Sequence, residues 1–227
     1  LMNLGWTWKN VSEYVVNSIT PDMTAARLTN MLSETCKQLY MNKPGDDTTI
    51  ATVKIVSRKN VCLYSGPPMD KSCDERLVTE FMIPEGKKIV CGGSSANIVS
   101  RVLKQPLMPS IEYSDPEIPP TATIAGIDLV TEGVITLKRT VDILKNYVEN
   151  PTGKEVLTSL DLKNGASQIA KMLIEDCTHL YLYIGQSINP AHQNPDLPFD
   201  LSIKMIILDE LYSLMIKLGK VVKRYYY

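Results

Sequence analysis

The stretch that decides the fold is "KKIVCGGSSANIVSRVL", Lys87 to Leu103. It begins with a short apolar run typical of a buried strand, passes through two glycines and two serines, and ends in apolar residues at helical spacing. A strand followed at once by a tight turn and a helix is the unit from which parallel sheets are built. The stretch therefore predicts a βα unit with a glycine turn at the carboxyl end of its strand.

The same alternation of strands and helices extends over residues 60–227. The predicted strands are "VCLYS" (61–65), "KKIVC" (87–91), "TATIAG" (121–126), "HLYLYIG" (179–185) and a last strand in "KVVKRYYY" (220–227). The predicted helices begin near Ser72, Gly93 and Thr131, and two more cover about 163–177 and 201–218. This order predicts an α/β fold with a Rossmann-like open parallel sheet and helices on both faces.

Residues 1–58 have a different pattern and are predicted to be a separate part of the chain. Two helices are expected within residues 7–40, the second opening at Thr20 and Pro21 because proline is favoured in a first helical turn. A strand is expected at 48–56, where β-branched residues alternate with smaller or polar ones. The polar link at 57–60 then separates residues 1–58 from residues 60–227.

Composition excludes several classes of protein. Lysine and arginine number 24 against 25 aspartates and glutamates, so bulk charge does not favour a nucleic acid or a membrane surface as partner. No apolar run approaches the roughly 20 residues of a membrane span. The five cysteines form no C-x-x-C pair and lie mostly in apolar runs, which is typical of buried thiols in a cytoplasmic protein.

Two adjacent carboxylates, Asp46 and Asp47, stand at the start of "DDTTIATVKIV". Carboxylate oxygens at the mouth of a strand suit hard divalent cations such as Mg²⁺ or Mn²⁺. Aspartates are also common in solvated turns, because their side chains stabilise turn geometry. From the residues alone, both a metal ligand and a solvated turn stay open.

Several segments together resemble one protein family. They are "GDDTTIATVKI", "LGWTWKNVSEYV", "IVCGGSSANIVSRVL", "GIDLVTEGVITL" and "INPAHQNPDLP". The first two resemble the carboxyl-terminal part of the PPM (protein phosphatase 2C-like) serine/threonine phosphatases, in particular the bacterial stage II sporulation protein E family. The other three resemble an extension that some members carry. The match implies a partial PPM-type α+β segment at 1–58, followed by an α/β extension domain.

The resemblance also implies chemistry for the intact enzyme. Members hold two Mg²⁺ or Mn²⁺ ions, which activate a water against a phosphoprotein substrate. Asp46 matches the last metal-binding aspartate of the family, Asp47 its neighbour and Thr49 the family's threonine. The family also needs two Asp-Gly motifs, and this sequence contains no Asp-Gly dipeptide. The resemblance implies that they lie before Leu1, so we expect this chain to bind no metal tightly and to be inactive as a phosphatase.

Two binding partners are expected. Strand 48–56 would lack its neighbours in the sheet, and an unpaired edge favours a homodimer through residues 1–58. The α/β domain is expected to bind a small anionic metabolite or nucleotide in the crevice beyond the carboxyl ends of its strands. Polar residues predicted at that edge, and hence in the ligand site, are Gly92, Gly93, Ser94, Ser95, Asn97, Asp128, Glu132, Asn189, His192 and Asn194.

Each of these candidates also has a structural explanation. The Gly92–Ser95 stretch suits a tight turn with a helix cap as well as an anion site on helix amides. Asp128 and Glu132 suit the start of a helix, where negative charge is favourable. His192 suits a hydrogen-bonded position in a loop stiffened by prolines, although a 16-residue irregular loop at 185–200 is more often functional.

Overall fold

A computed structural model describes residues 6–43, 47–110, 115–187 and 203–227. Its helices are α1 (Trp8–Ser18), α2 (Ala25–Leu39), α3 (Asp74–Met82), α4 (Gly93–Leu103), α5 (Val134–Glu149), α6 (Lys154–Ser159), α7 (Gly165–Glu175) and α8 (Ile203–Lys217). Its strands are β1 (Asn60–Ser65), β2 (Lys87–Cys91), β3 (Met108–Pro109), β4 (Ala122–Thr123), β5 (Leu129–Thr131), β6 (His179–Ile184) and β7 (Val221–Tyr226). A 3₁₀ turn at Lys71–Cys73 precedes α3.

The strands form one seven-stranded sheet in the order β3-β4-β5-β2-β1-β6-β7. The strands β5, β2, β1, β6 and β7 run parallel, whereas β3 and β4 pair antiparallel at one edge. From β1 the chain adds β2 and β5 on one side, and later adds β6 and β7 on the other. The predicted open, largely parallel α/β sheet is thus confirmed, and its strand order reverses between β1 and β6.

Alternate residues of the central strands build two hydrophobic cores, one on each face of the sheet. Val61, Leu63, Ile89, Leu129, Leu180 and Leu182 pack against α5, α7 and α8. Cys62, Tyr64, Val90, Val130, Tyr181 and Tyr183 pack against α3 and α4. Helices therefore cover both faces, as the buried, apolar strands require.

Several predicted boundaries are wrong. Residues 47–59 form no strand, because no neighbour within the described residues pairs with their backbone. Helix α2 begins after Thr24, whose hydroxyl accepts from the Arg27 amide, and not at Thr20. Thr131 lies at the end of β5, and Gly133 precedes α5.

Within "TATIAG" only Ala122 and Thr123 are in strand β4. Ser72 belongs to the 3₁₀ turn, which the Asp70 side chain caps. Helix α6 was not predicted.

The first two helices lie on the surface of the α/β domain. Neither α1 nor α2 has a buried residue, and the strongest link is the Arg27 guanidinium. It donates two hydrogen bonds of 2.9 Å to Asp161 and one of 2.5 Å to Glu175. Asn30 adds a hydrogen bond of 2.7 Å to Thr152 O, so polar contacts hold α2 to the domain. In the part of the chain that the structure describes, no helix has both the length and the apolarity needed to cross a membrane.

Candidate anion-binding site

The loops that leave β1 and β6 meet at the point where the strand order reverses. The Gly185 amide donates to Ser65 O at 3.0 Å, and the Ser187 amide donates to Pro67 O at 3.1 Å. A side chain at Gly185 would collide with the carbonyl oxygens of Gly66 and Pro67. The two loops therefore touch backbone to backbone and form the floor of the crevice in which open α/β sheets bind ligands.

Helix α4 points its amino end at this crevice from the neighbouring strand β2. Gly92 has a φ of 110°, a conformation that side chains with a Cβ rarely adopt, and this bends the chain sharply from strand into helix. The Gly92 amide donates to Thr131 O at 2.9 Å, which ties the turn to the end of β5. A Cβ at Gly133 would lie 3.5 Å from the Gly92 Cα, so the two turns are also close together.

The first turn of α4 presents backbone amides without acceptors. The helix has no side-chain cap, and within the described residues no acceptor is found for the amides of Gly93, Ser94 and Ser95. A Cβ built on Gly93 would meet no atom within 4 Å, so the space beside Gly93 is open. Free amides and the positive end of the helix dipole together favour an anion at such a position.

Ser95 connects this helix turn to the crevice floor. Its hydroxyl is buried and accepts from the Gly66 amide at 2.8 Å. The Tyr64 hydroxyl is buried beside the Ser95 side chain, in a position that does not complete a well-formed hydrogen bond among the described residues. Burial raises the pKa of Tyr64, so this hydroxyl stays protonated. The buried Asp74 carboxylate, close by, pairs with Arg101 through one oxygen only.

Lys204 brings a positive charge to the other side of the crevice floor. It is the second residue of α8, and its ammonium donates to Gly185 O at 2.5 Å and to Ser187 O at 3.4 Å. No carboxylate pairs with it in the described parts of the chain. Burial lowers the pKa of Lys204, because the ammonium is half-buried without an opposite charge. Lys204 was not predicted, since a lysine on a helix usually faces solvent.

The predicted site residues divide into three groups. Gly92, Gly93, Ser94, Ser95 and Asn97 lie together in and just beyond the turn from β2 to α4, with Ser94 and Asn97 exposed. Glu132 is exposed and follows β5 at the same edge of the sheet. Asn189, His192 and Asn194 lie outside the described residues.

Asp128 is placed at the opposite edge, and its prediction at the crevice is wrong. It precedes β5, and its carboxylate accepts from the Lys88 amide at 2.7 Å, near the amino end of β2. The sequence pattern predicts a strand at "TATIAG", before Asp128, whereas the parallel strand β5 begins after Asp128. Asp128 instead closes the amino edge of the sheet and cannot face a ligand at the carboxyl edge.

The acidic turn remains largely undescribed. Asp46 lies outside the described residues, and Asp47 is exposed. Among residues 6–43, 47–110, 115–187 and 203–227, no three or more acidic, histidine or cysteine side chains cluster in a way that would hold a metal ion. The metal site at Asp46 and Asp47 that the family resemblance implies therefore stays a prediction.

A separate cavity of about 530 Å³ lies between the amino-terminal halves of α5 and α8. Its lining is largely apolar, with Ile118, Val134, Ile135 and Ile206 among its residues. Two charges on its wall are paired with each other, Lys138 with Asp142 at 3.1 Å. The cavity wall also carries three carboxylates, those of Glu117, Asp142 and Glu210, so the α4 turn is the better candidate for an anion.

Comparisons of the chain with protein-family models, with curated proteins and with solved structures found no match.

Proposed function

We propose that residues 60–227 form a binding module for a small ligand that carries a phosphate or carboxylate group. The anionic group binds the amides of Gly93, Ser94 and Ser95 at the start of α4. The observation that carries the proposal is that the described residues offer no acceptor for these three amides, while the space beside Gly93 is open. The first amides of a helix have no acceptor within the helix, and an anion at the amino terminus satisfies several at once.

The surroundings of the helix turn support a ligand larger than a bare anion. Ser94 and Asn97 are exposed beside the amides and offer a hydroxyl and an amide as further contacts. Glu132 lies at the same edge, and its carboxylate suits a hydroxyl donor of the ligand rather than its anionic group. The ligand class is thus a phosphorylated or carboxylated metabolite, including nucleotides.

A titration of ¹⁵N-labelled protein with inorganic phosphate and with inorganic pyrophosphate tests the proposal. We expect saturable shifts of the Gly93, Ser94 and Ser95 amide signals, because each gains a charge-assisted hydrogen bond. Chloride at matched ionic strength is the control for screening. Shifts confined to other residues, or none that saturate, would contradict the proposal.

A second proposal rests on the family resemblance. The motif at Asp46 and Asp47 supports membership of this chain in a metal-dependent serine/threonine phosphatase, for which the α/β domain would serve as a regulatory module. The chain alone is then expected to show no Mn²⁺-dependent hydrolysis of a phosphopeptide, since one acidic turn supplies too few of the roughly six ligands each ion needs. Turnover that Asp46→Asn abolishes would show a complete metal site and refute this expectation.

A further inference from the structure

The two edges of the sheet differ in how they are protected from pairing with another chain. At one edge, β3 and β4 are two residues long, and β3 contains Pro109, which has no backbone N–H to donate. At the other edge, β7 is six residues long, contains no proline and pairs with β6 in unbroken register. Short strands and prolines are common protections of an exposed edge. Strand β7 has neither of them.

The outer edge of β7 presents unpaired backbone groups. Alternate residues of a strand bond to a given parallel neighbour, and the Val221 amide donates to Thr178 O at 3.0 Å, so the odd-numbered residues of β7 bond to β6. The even-numbered residues, whose N–H and C=O groups face away from β6, are Val222, Arg224 and Tyr226. In the described parts of the chain these groups have no hydrogen-bond partner, because β7 has no second neighbour.

The charge around this edge has one sign. Residues 211–227 contain no aspartate or glutamate and four basic residues, which are Lys217, Lys220, Lys223 and Arg224. Like charges on adjacent strands are destabilising, so this composition disfavours a second copy of β7 as the neighbour. It favours a strand that carries carboxylates.

The two basic residues within β7 have different surroundings. The Arg224 guanidinium donates to Asp209 at 2.7 Å and lies 4.0 Å from the centre of the Tyr212 ring, so it is held against α8. Lys223 is exposed and forms no ion pair within the described residues. The charge of Lys223 is therefore available to a carboxylate on an added strand.

We propose that the outer edge of β7 binds an acidic, extended segment of a partner protein, which adds to the sheet as a further strand. Its backbone bonds to the outward groups of β7, and its carboxylates lie beside Lys223. Val221 and Tyr226 are 49% and 45% exposed and offer apolar contacts to its other side chains. This interaction is independent of the anion site at the start of α4.

A short synthetic peptide of alternating glutamate and valine, with blocked termini, tests the proposal. We expect saturable binding that slows amide hydrogen exchange of Val222, Arg224 and Tyr226 at least about tenfold, because each amide gains an acceptor. The amides of Lys223 and Tyr225 should change less, since they already face β6. If the three outward amides exchange slowly without peptide, another part of this chain or a second copy already covers the edge, and the proposal is refuted.

Two control peptides separate backbone pairing from charge. Lysine in place of glutamate should weaken binding at least about tenfold, because like charges then face each other. Methylation of every backbone amide keeps all carboxylates but removes the donors, and it should abolish binding. Equal binding of the methylated peptide would show a contact through charge alone and refute strand addition. Equal binding of the lysine peptide would refute the acidic partner.

A matched pair of variants tests the role of Lys223. Lys223→Glu should weaken binding of the glutamate–valine peptide at least about tenfold. Lys104→Glu makes the same change at an exposed lysine beyond the end of α4 and should leave the affinity unchanged. Equal affinity of the two variants would refute the contact with Lys223. No binding to the wild-type chain at about millimolar peptide would refute the docking edge, while the anion site at α4 would be unaffected.

Discussion

The backbone amide of Gly66 donates a 2.8 Å hydrogen bond to the hydroxyl of Ser95, and this bond fixes the start of α4 against the turn that follows β1. These two residues belong to consecutive βα units, and both lie at the carboxyl edge of the sheet. In the same helical turn, the amides of Gly93, Ser94 and Ser95 have no acceptor among the described residues. The bond thus orients the amides that we propose bind the ligand.

Ser95→Ala is expected to destabilise the fold. The Gly66 amide would lose its acceptor in a part-buried position, which costs about 1–3 kcal/mol of unfolding free energy. Urea unfolding measures the change, and Ser94→Ala on the exposed face is the control, with an expected effect within about 0.5 kcal/mol. Equal effects of the two substitutions would show that the Gly66 contact is not important for stability.

Tyr64→Phe is expected to leave stability unchanged or to raise it by up to about 1 kcal/mol. The substitution removes a buried hydroxyl that has no partner in the described chain, and it keeps the ring that packs against Phe81. Equilibrium unfolding checks this. A loss above about 1 kcal/mol would mean that an ordered water or another group satisfies the hydroxyl.

Arg27→Ala is expected to loosen the attachment of α2 to the α/β domain. Three hydrogen bonds to Asp161 and Glu175 are lost, and bonds to charged groups contribute roughly 1.5–3 kcal/mol. Hydrogen exchange should rise selectively in residues 25–39, because this helix buries no residue of its own. Arg139→Ala, on α5, is the control. Unchanged exchange in α2 would contradict the account of how it is held.

The contribution of this ion pair is expected to depend on pH. The hydrogen bond from Arg27 lowers the pKa of Asp161 below its ordinary value. A lowered carboxyl pKa adds stability above the unfolded value of about 3.9, and that stability is lost as the pH falls through the lowered folded value. The stability difference between the wild-type chain and Arg27→Ala should therefore shrink below about pH 4. A difference independent of pH would contradict the pairing.

Self-association through residues 1–58 remains a proposal, and Ile55 is the residue to change. Val53 and Ile55 are 90% and 96% exposed, in a segment whose only charge between residues 48 and 57 is Lys54. Exposed β-branched residues of low net charge favour pairing with a second copy of the segment. Sedimentation should show a dimer that Ile55→Lys converts to a monomer. A monomeric wild-type chain at high micromolar concentration would refute it.

The elements predicted best from the sequence are those whose pattern is local. The run "KKIVC" is strand β2, and the glycines and serines after it lead into α4. Both features depend on adjacent residues: an apolar run forms the buried strand, and glycine permits the turn. The segment 48–56 has an equally clear alternation but forms no strand. A strand needs a partner, and alternation alone does not supply one.

The sequence predicts candidate residues as a group only where a single loop carries them. Gly92 to Asn97 are consecutive, so a prediction of the turn places all of these residues together. Lys204 reaches the crevice from a helix more than 100 residues later in the chain, and only the tertiary fold shows that it lies against Gly66. The prediction for Asp128 is wrong because the strand begins after this residue and does not end before it. Asp128 therefore lies at the amino edge of the sheet.

The most direct test of an anion site at the start of α4 compares the wild-type chain with Gly93→Val in pyrophosphate. A Cβ at Gly93 meets no atom within 4 Å, so the valine should fold normally while covering the open space beside the amides. At a ligand concentration about 100 times Kd we expect the wild-type melting temperature to rise by about 5–10 °C. Gly93→Val should melt close to the wild-type temperature without ligand and show no rise, with Gly93→Ala intermediate. An equal rise in the wild-type chain and Gly93→Val would contradict the site.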